Sequence, residues 1–185
     1  MTELNPRITL AVLTVSDRCH AGTTEDRSGP ELCKLAVAQL DADVVATAIL
    51  PDEPSLLSAQ LVEWAKTSPK PDLILTTGGT GLAPRDVTPE ATGAVLERRH
   101  PALLELARLR CYEITPRTFL SRGEAGTIGR SLVINLPGSV KGATENLAAM
   151  IDILPHAIET LRDDVQDDGR ADAKSVTGKV IRHED

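Results

Sequence analysis

Short apolar runs rich in Val, Ile, Leu and Thr alternate along this chain with stretches whose apolar residues fall three and four positions apart. A continuous β-branched run suits a strand covered on both faces, and the longer spacing draws an apolar stripe down one side of a helix. Their alternation predicts an α/β domain with a mostly parallel sheet. Strands are expected at Ile8 to Val15, Val44 to Leu50, Leu73 to Thr76 and Leu132 to Asn135. A helix is expected from Ser28, where Ser28 and Glu31 have capping-box spacing and Leu32, Leu35 and Ala36 supply the apolar face. Another opens at Asp52 or Glu53, carries Leu57, Leu61 and Trp64, and is broken by Pro69 and Pro71.

Thr88 and Pro89 predict the cap and first turn of a helix running on to Arg98, and a further helix runs from Pro101 through Leu109. Tyr112 to Arg130 mixes signals and is assigned only as strand or loop. Ser139 to Leu161 reads as one long helix, with Ala143, Leu147, Met150, Leu154 and Ile158 on one face and a kink at Pro155. Residues 1–162 are thus expected to form one domain, and 163–185, which lack apolar periodicity, a polar tail.

The unusual residues collect after strand ends. Ser16-Asp17 follows the first strand, Pro51-Asp52-Glu53 the second, Gly78-Gly79-Thr80-Gly81 the third and Pro137-Gly138-Ser139 the last. Ligands of open parallel sheets bind at that edge, so four loops are expected to meet at one crevice. The glycine-rich stretch has neither the Lys of a phosphate-binding Walker loop nor dinucleotide-fingerprint spacing, but its bare main chain suits an anion. Arg85, Asp86 and a helix start follow closely, equipment for a phosphate together with a metal. Carboxylates beside a polyphosphate need a cation between them, so Asp52 and Asp86 suggest Mg²⁺ with a nucleotide. Asp52 also suits a helix cap, Asp86 a salt bridge to Arg85, and Glu53 a first-turn charge.

Composition narrows the ligand. The formal charge of −7 argues against a general nucleic-acid binder. Trp64, Tyr112 and Phe119 are the only aromatic residues, too few for base-stacking platforms. No apolar run approaches a membrane span and Met1 to Arg7 lack a signal-like segment, which makes a cytoplasmic protein the expectation. Cys19, Cys33 and Cys111 are far apart and suit reduced thiols, and the Cys19-His20 pair lacks a second pair at metal-ligand spacing. His156 suits partly buried packing. No Ser/His/Asp arrangement is visible, so the nucleophile is expected to belong to a substrate.

Leu13 to Arg18, Asp26 to Pro30, Pro51 to Glu53, Thr76 to Ala91, Ser121-Arg122 and Asn135 to Ser139 resemble the molybdopterin adenylyltransferase family of molybdenum-cofactor synthesis, which includes the gephyrin G domain. The resemblance implies a three-layer α/β/α sandwich, usually a homotrimer, that binds molybdopterin and Mg-ATP and transfers AMP to the pterin's terminal phosphate. It implies that Asp52 and Asp86 serve Mg-ATP. It puts Gly78, Gly79, Thr80, Gly81 and Ser121 on the pterin side and Pro137 and Gly138 near the nucleotide, with Ser139 standing where some members have Asn. Ser16 and Asp17 complete the candidate binding set, and a molybdenum insertase is a possible partner. The competing reading is a molybdopterin carrier without adenylyl transfer.

Overall fold

The computed structural model describes residues 7–162; the expected tail lies outside them. Chain order begins with β1 (Ile8–Val15), a single helical turn α1 (Asp17–His20), α2 (Ser28–Leu40) and β2 (Ala42–Leu50). Next come α3 (Pro54–Lys66), β3 (Leu73–Thr77), α4 (Thr88–Gly93), β4 (Arg98–Arg99) and α5 (Ala102–Cys111). A 3-10 turn (Pro116–Leu120), β5 (Ala125–Ile128), β6 (Ser131–Leu136), α6 (Val140–Ala148) and α7 (Leu154–Arg162) complete the order.

The six strands form one sheet in the order β2-β1-β3-β6-β5-β4. Pairing is parallel from β2 to β6, and β5 and β4 extend it antiparallel. Every residue of β3 and β6 is buried, the apolar ones against helices on both faces and the polar Thr76, Thr77, Ser131 and Asn135 through hydrogen bonds. Helices cover both faces, which makes the three-layer sandwich. On one face Leu32 and Ala36 of α2, Leu103 and Ala107 of α5, Leu147 of α6 and Ile158 of α7 pack on Leu10, Leu75 and Ile134. On the other, Leu57, Leu61 and Trp64 of α3 and Ala91 of α4 pack on Leu13, Ile74 and Val133. Each fully buried Leu or Ile contributes about 1.5–3 kcal/mol of hydrophobic stabilisation.

Four local expectations change. The capping box does not form: Asp26 accepts the Gly29 N–H (3.1 Å) and the Ser28 hydroxyl (3.3 Å), while Glu31 pairs with Lys34. The helix at Thr88 stops at Gly93, where Arg99 donates to the freed Gly93 carbonyl (3.1 Å), and the chain enters β4 instead of continuing helically. The long terminal helix is two helices. Arg110 takes the Ala149 carbonyl (2.7 Å) and pairs with Asp152 in the break, and Pro155 sits in the first turn of α7, where a missing N–H costs little. His156 is not packed inside; its side chain is 77% exposed.

Candidate functional site

Four strand ends converge because the parallel strands β2, β1, β3 and β6 are neighbours and finish at the same edge of the sheet. The exit of β1 is tied to β2 by Ser16 N–H donating to the Leu50 carbonyl (2.9 Å), and Ser16 Oγ caps the α1 turn by accepting from Cys19 N–H (3.2 Å). Asp17 and Asp52 then clasp each other's main chain. Asp52 N–H donates to Asp17 Oδ1 (3.0 Å), and Asp17 N–H donates to Asp52 Oδ2 (3.1 Å). Neither Asp52 nor Glu53 caps α3 through its side chain.

Arg85 closes this arrangement from the third loop. Its guanidinium meets both Asp17 oxygens at 2.8 Å and Glu53 at 3.3 Å, so it bridges the exits of β1 and β2 and not its neighbour Asp86. Glu53 therefore answers a specific cation. The Arg85 guanidinium holds the Asp17 carboxyl below its usual range, helped by the Asp52 N–H.

The glycines allow the main chain of the third loop to lie against these groups. Gly78 and Gly79 have φ of 106° and 61°, which L side chains rarely adopt. A Cβ on Gly78 would fall 2.1 Å from the Val15 carbonyl oxygen; one on Gly79 would fall 2.3 Å from Thr88 Oγ1 and 2.8 Å from Asp52 Oδ1. Thr88 pins the loop by donating from its hydroxyl to the Gly78 carbonyl (2.9 Å) and from its N–H to the Gly79 carbonyl (3.0 Å). Asp86 stands against the same loop, with Oδ2 only 2.8 Å from where a Gly81 Cβ would be.

The result is an open cavity of about 830 Å³ walled by Ser16, Asp17, Asp52, Gly78, Gly79, Asp86, Gly138 and Ser139, among others. The remaining candidates lie just outside it. Thr80 is buried and Gly81 faces Asp86, while the Pro137 carbonyl accepts the Thr77 hydroxyl (2.8 Å). Ser121 lines a separate depression with Arg108 and Phe119, and reaches the loop by donating to Thr80 Oγ1 (3.2 Å). Sequence reasoning did not single out Thr14 or Asp26, both on the cavity wall, where the Thr14 hydroxyl donates to Asp26 Oδ2 (2.7 Å). An Asp just ahead of a Ser-Gly-Pro helix start was the available signal.

Burial raises the Asp52 pKa, the Asp17 N–H pulls the other way, and the nearby Asp17 and Asp86 charges add to the rise. Asp52 Oδ1 and Asp86 Oδ1 accept no hydrogen bond among the described residues. These residues include no group of three or more His, Cys, Asp or Glu side chains placed to hold a metal by themselves. Two free carboxylate oxygens beside uncompensated negative charge suit a hard divalent ion such as Mg²⁺, which takes one or two protein oxygens and keeps other ligands from water and phosphate. Of the cavity hydroxyls, Thr14 donates to Asp26 and Thr77 to Pro137, Ser16 and Ser139 accept the N–H groups of the turns they cap, and no histidine among the described residues lines the cavity to act as their base. Nothing here prepares a protein nucleophile.

Fold and site together define an α/β domain with an open cavity at the ends of its parallel strands, lined by glycine main chain and by two acidic loops. The comparisons give the family: residues 11–156 match the one described as "Probable molybdopterin binding domain", and the chain belongs to it. The chain is 42% identical over 158 residues to the molybdenum cofactor synthesis protein cinnamon of Drosophila melanogaster, covering 85% of this chain and 26% of that one. It is 42% identical over 159 residues to gephyrin of Dictyostelium discoideum, of which it covers 22%, so the chain spans about a quarter of the length of these two relatives. The molybdopterin adenylyltransferase of Helicobacter pylori strain J99 is 37% identical over 155 residues, covering 83% of this chain and 88% of that one. Among solved structures, the molybdopterin biosynthesis enzyme MoaB of Thermus thermophilus superposes with a TM-score of 0.79 at 44% identity, over 84% of this chain and 97% of that one.

Proposed function

We propose that this chain transfers AMP from ATP to the terminal phosphate of molybdopterin, releasing pyrophosphate, as a step of molybdenum cofactor synthesis. The observation that carries this reading is that Asp52 and Asp86 flank the bare Gly78-Gly79 main chain in one cavity that contains no prepared nucleophile. In the transfer, an oxygen of the pterin phosphate forms a bond to the α-phosphorus of ATP. The bond from that phosphorus to the bridging oxygen breaks, and its electron pair leaves with pyrophosphate.

Asp52 and Asp86 would hold Mg²⁺ through one oxygen each. When bound, the ion neutralises charge between these carboxylates and the triphosphate. The Asp17 clasp and Arg85 keep Asp52 Oδ1 directed beside Gly79. Gly78 and Gly79 let a phosphate approach the backbone on the pterin side, with Thr80, Gly81 and Ser121 supporting that loop; Pro137, Gly138 and Ser139 border the nucleotide. The rate enhancement then comes from position and from fixed charge. Incubation with molybdopterin, ATP and Mg²⁺ should release pyrophosphate in step with adenylylated pterin. Retained pterin binding with no ATP affinity would instead identify a carrier.

The assembly proposed is a homotrimer working in the cytoplasm and handing its product to a molybdenum insertase. Leu109, Tyr112, Ile114, Phe119 and Leu120, each at least half exposed around the end of α5, support a subunit contact. No helix among the described residues is long and apolar enough to cross a membrane. Light scattering on the purified chain should return three times the monomer mass.

A further inference from the structure

Arg122 lies behind the loop that presents Asp86 and grips it at several points. Its Nε donates to the Gly81 carbonyl (2.7 Å), its Nη2 to the Asp86 carbonyl (2.7 Å), and its Nη1 pairs with the Glu90 carboxylate on α4. Its main-chain N–H donates to the Thr80 carbonyl (2.8 Å), next to the contact between Ser121 and Thr80 hydroxyls. One side chain therefore fixes both ends of segment 81–86 and the first turn of the following helix.

Beyond this grip the segment is held from outside by the Arg85 side chain on Asp17 and Glu53. Leu82 is 69% exposed, and Ala83, Pro84 and Arg85 are also exposed. Its internal bonds are Asp86 N–H to the Ala83 carbonyl (2.9 Å) and Ala83 N–H to Asp86 Oδ2 (2.9 Å). A planar guanidinium with donors in fixed directions can meet two carbonyls and a carboxylate at once, whereas an ammonium on a flexible stem cannot reproduce that fork. Arg122 is not among the residues that wall the cavity, so it acts on the chemistry only through what it holds.

We infer that Arg122 is a positioning residue for Asp86, clamping the glycine-rich loop by its main chain so that the free Asp86 oxygen stays in the cavity. The inference rests on the adenylyl-transfer reading above, and it assigns the Ser121-Arg122 pair to loop geometry. Displacing a catalytic group by about 1 Å costs on the order of 10²-fold in rate.

The test uses the full chain as wild type, Arg122→Gln, Arg122→Lys, Asp86→Asn and the Arg122→Gln/Asp86→Asn double variant, with steady-state kinetics and amide hydrogen exchange. Arg122→Gln should lower kcat on the order of 10²-fold and leave the KM for molybdopterin within about two-fold, with Arg122→Lys recovering part of the loss. Exchange should accelerate at residues 82–86 and stay unchanged in β3 and β6. In the Asp86→Asn background the same change should cost no more than about threefold, because both residues act through one carboxylate. A full loss that persists without the Asp86 carboxylate, or unchanged exchange at 82–86, overturns the inference, as does accelerated exchange throughout the sheet. If the wild type releases no pyrophosphate, the adenylyl-transfer reading fails, and exchange at 82–86 still decides whether Arg122 holds the loop.

Discussion

Two carboxylates at different places on this fold are both partly withdrawn from water and respond in opposite ways. Asp72, just before β3, accepts the Thr9 N–H (2.8 Å), the Thr9 hydroxyl (2.6 Å) and Arg162 through Nε (2.9 Å) and Nη2 (2.6 Å). Asp52, just after β2, accepts one N–H from Asp17, and Arg85 goes to Asp17 and Glu53 instead of to it. Burial raises the pKa of both, but the Arg162 and Thr9 bonds more than offset it at Asp72, whose pKa falls, while at Asp52 the rise remains. The first carboxylate is satisfied by the chain and closes the structure. The second keeps one oxygen without a hydrogen bond among the described residues, an arrangement that suits a cation arriving with a ligand.

Removing the satisfied member should have the largest effect. Asp72→Ala removes the acceptor of the Thr9 N–H and of two Arg162 guanidinium bonds and should destabilise the fold by about 3 kcal/mol. Denaturant unfolding measures this, and molybdopterin affinity of the remaining folded protein should not change. At the rim the pattern inverts. Asp52→Asn keeps an oxygen to accept the Asp17 N–H but is a poor ligand for a hard cation, so transfer should fall on the order of 10²-fold. Its melting temperature should be unchanged or slightly higher, because the substitution removes a carboxylate that is costly to ionise in place.

A buried polar group joining β6 to β3 and α4 offers an intermediate case. Asn135 is fully buried, donates to Thr76 Oγ1 and Thr92 Oγ1 (2.9 Å each) and accepts the Glu124 N–H (3.0 Å). Asn135→Leu strands those three groups and should cost about 2–3 kcal/mol in stability, read from the same unfolding experiment. Smaller still, Arg85→Gln should lower transfer by about threefold to tenfold, since it frees Asp17 while the reciprocal main-chain clasp with Asp52 persists.

Acid separates the two carboxylates by sign. The folded pKa of Asp72 lies below its unfolded value of 3.8, so its contribution to stability is complete above about pH 4 and is lost as pH falls from there through the folded pKa. Asp52 has a folded pKa above 3.8, so it binds more protons folded than unfolded, and its contribution turns unfavourable as pH rises through that folded value. Stability titrations of Asp72→Asn and Asp52→Asn should therefore diverge from wild type in opposite directions. Parallel curves would remove the distinction.

The sequence made some of this legible because the relevant signals are local. β1 has the expected ends, and the acidic and glycine-rich loops follow their strands as composition indicated, since a buried run and a Gly cluster are written in consecutive residues. The division of the terminal helix was hidden. Met150, Leu154 and Ile158 keep helical spacing across the break, and the donor that opens it is Arg110, about forty positions away. β4 was equally hidden, because Arg98 and Arg99 pair with Thr127 and Gly126 through main chain alone. The clasp between Asp17 and Asp52 and most of the grip of Arg122 left no pattern for the same reason: apart from the Glu90 carboxylate, their partners are main-chain carbonyls and N–H groups.

A crystal structure with ATP and Mg²⁺ bound tests most directly whether Asp52 and Asp86 serve one ion and one triphosphate. A metal ion is expected about 2.1 Å from an oxygen of at least one of these carboxylates, with the triphosphate in the same cavity and the other carboxylate within reach directly or through one water. A nucleotide seated elsewhere on the molecule, or an ion that leaves both carboxylates untouched, would contradict that shared role.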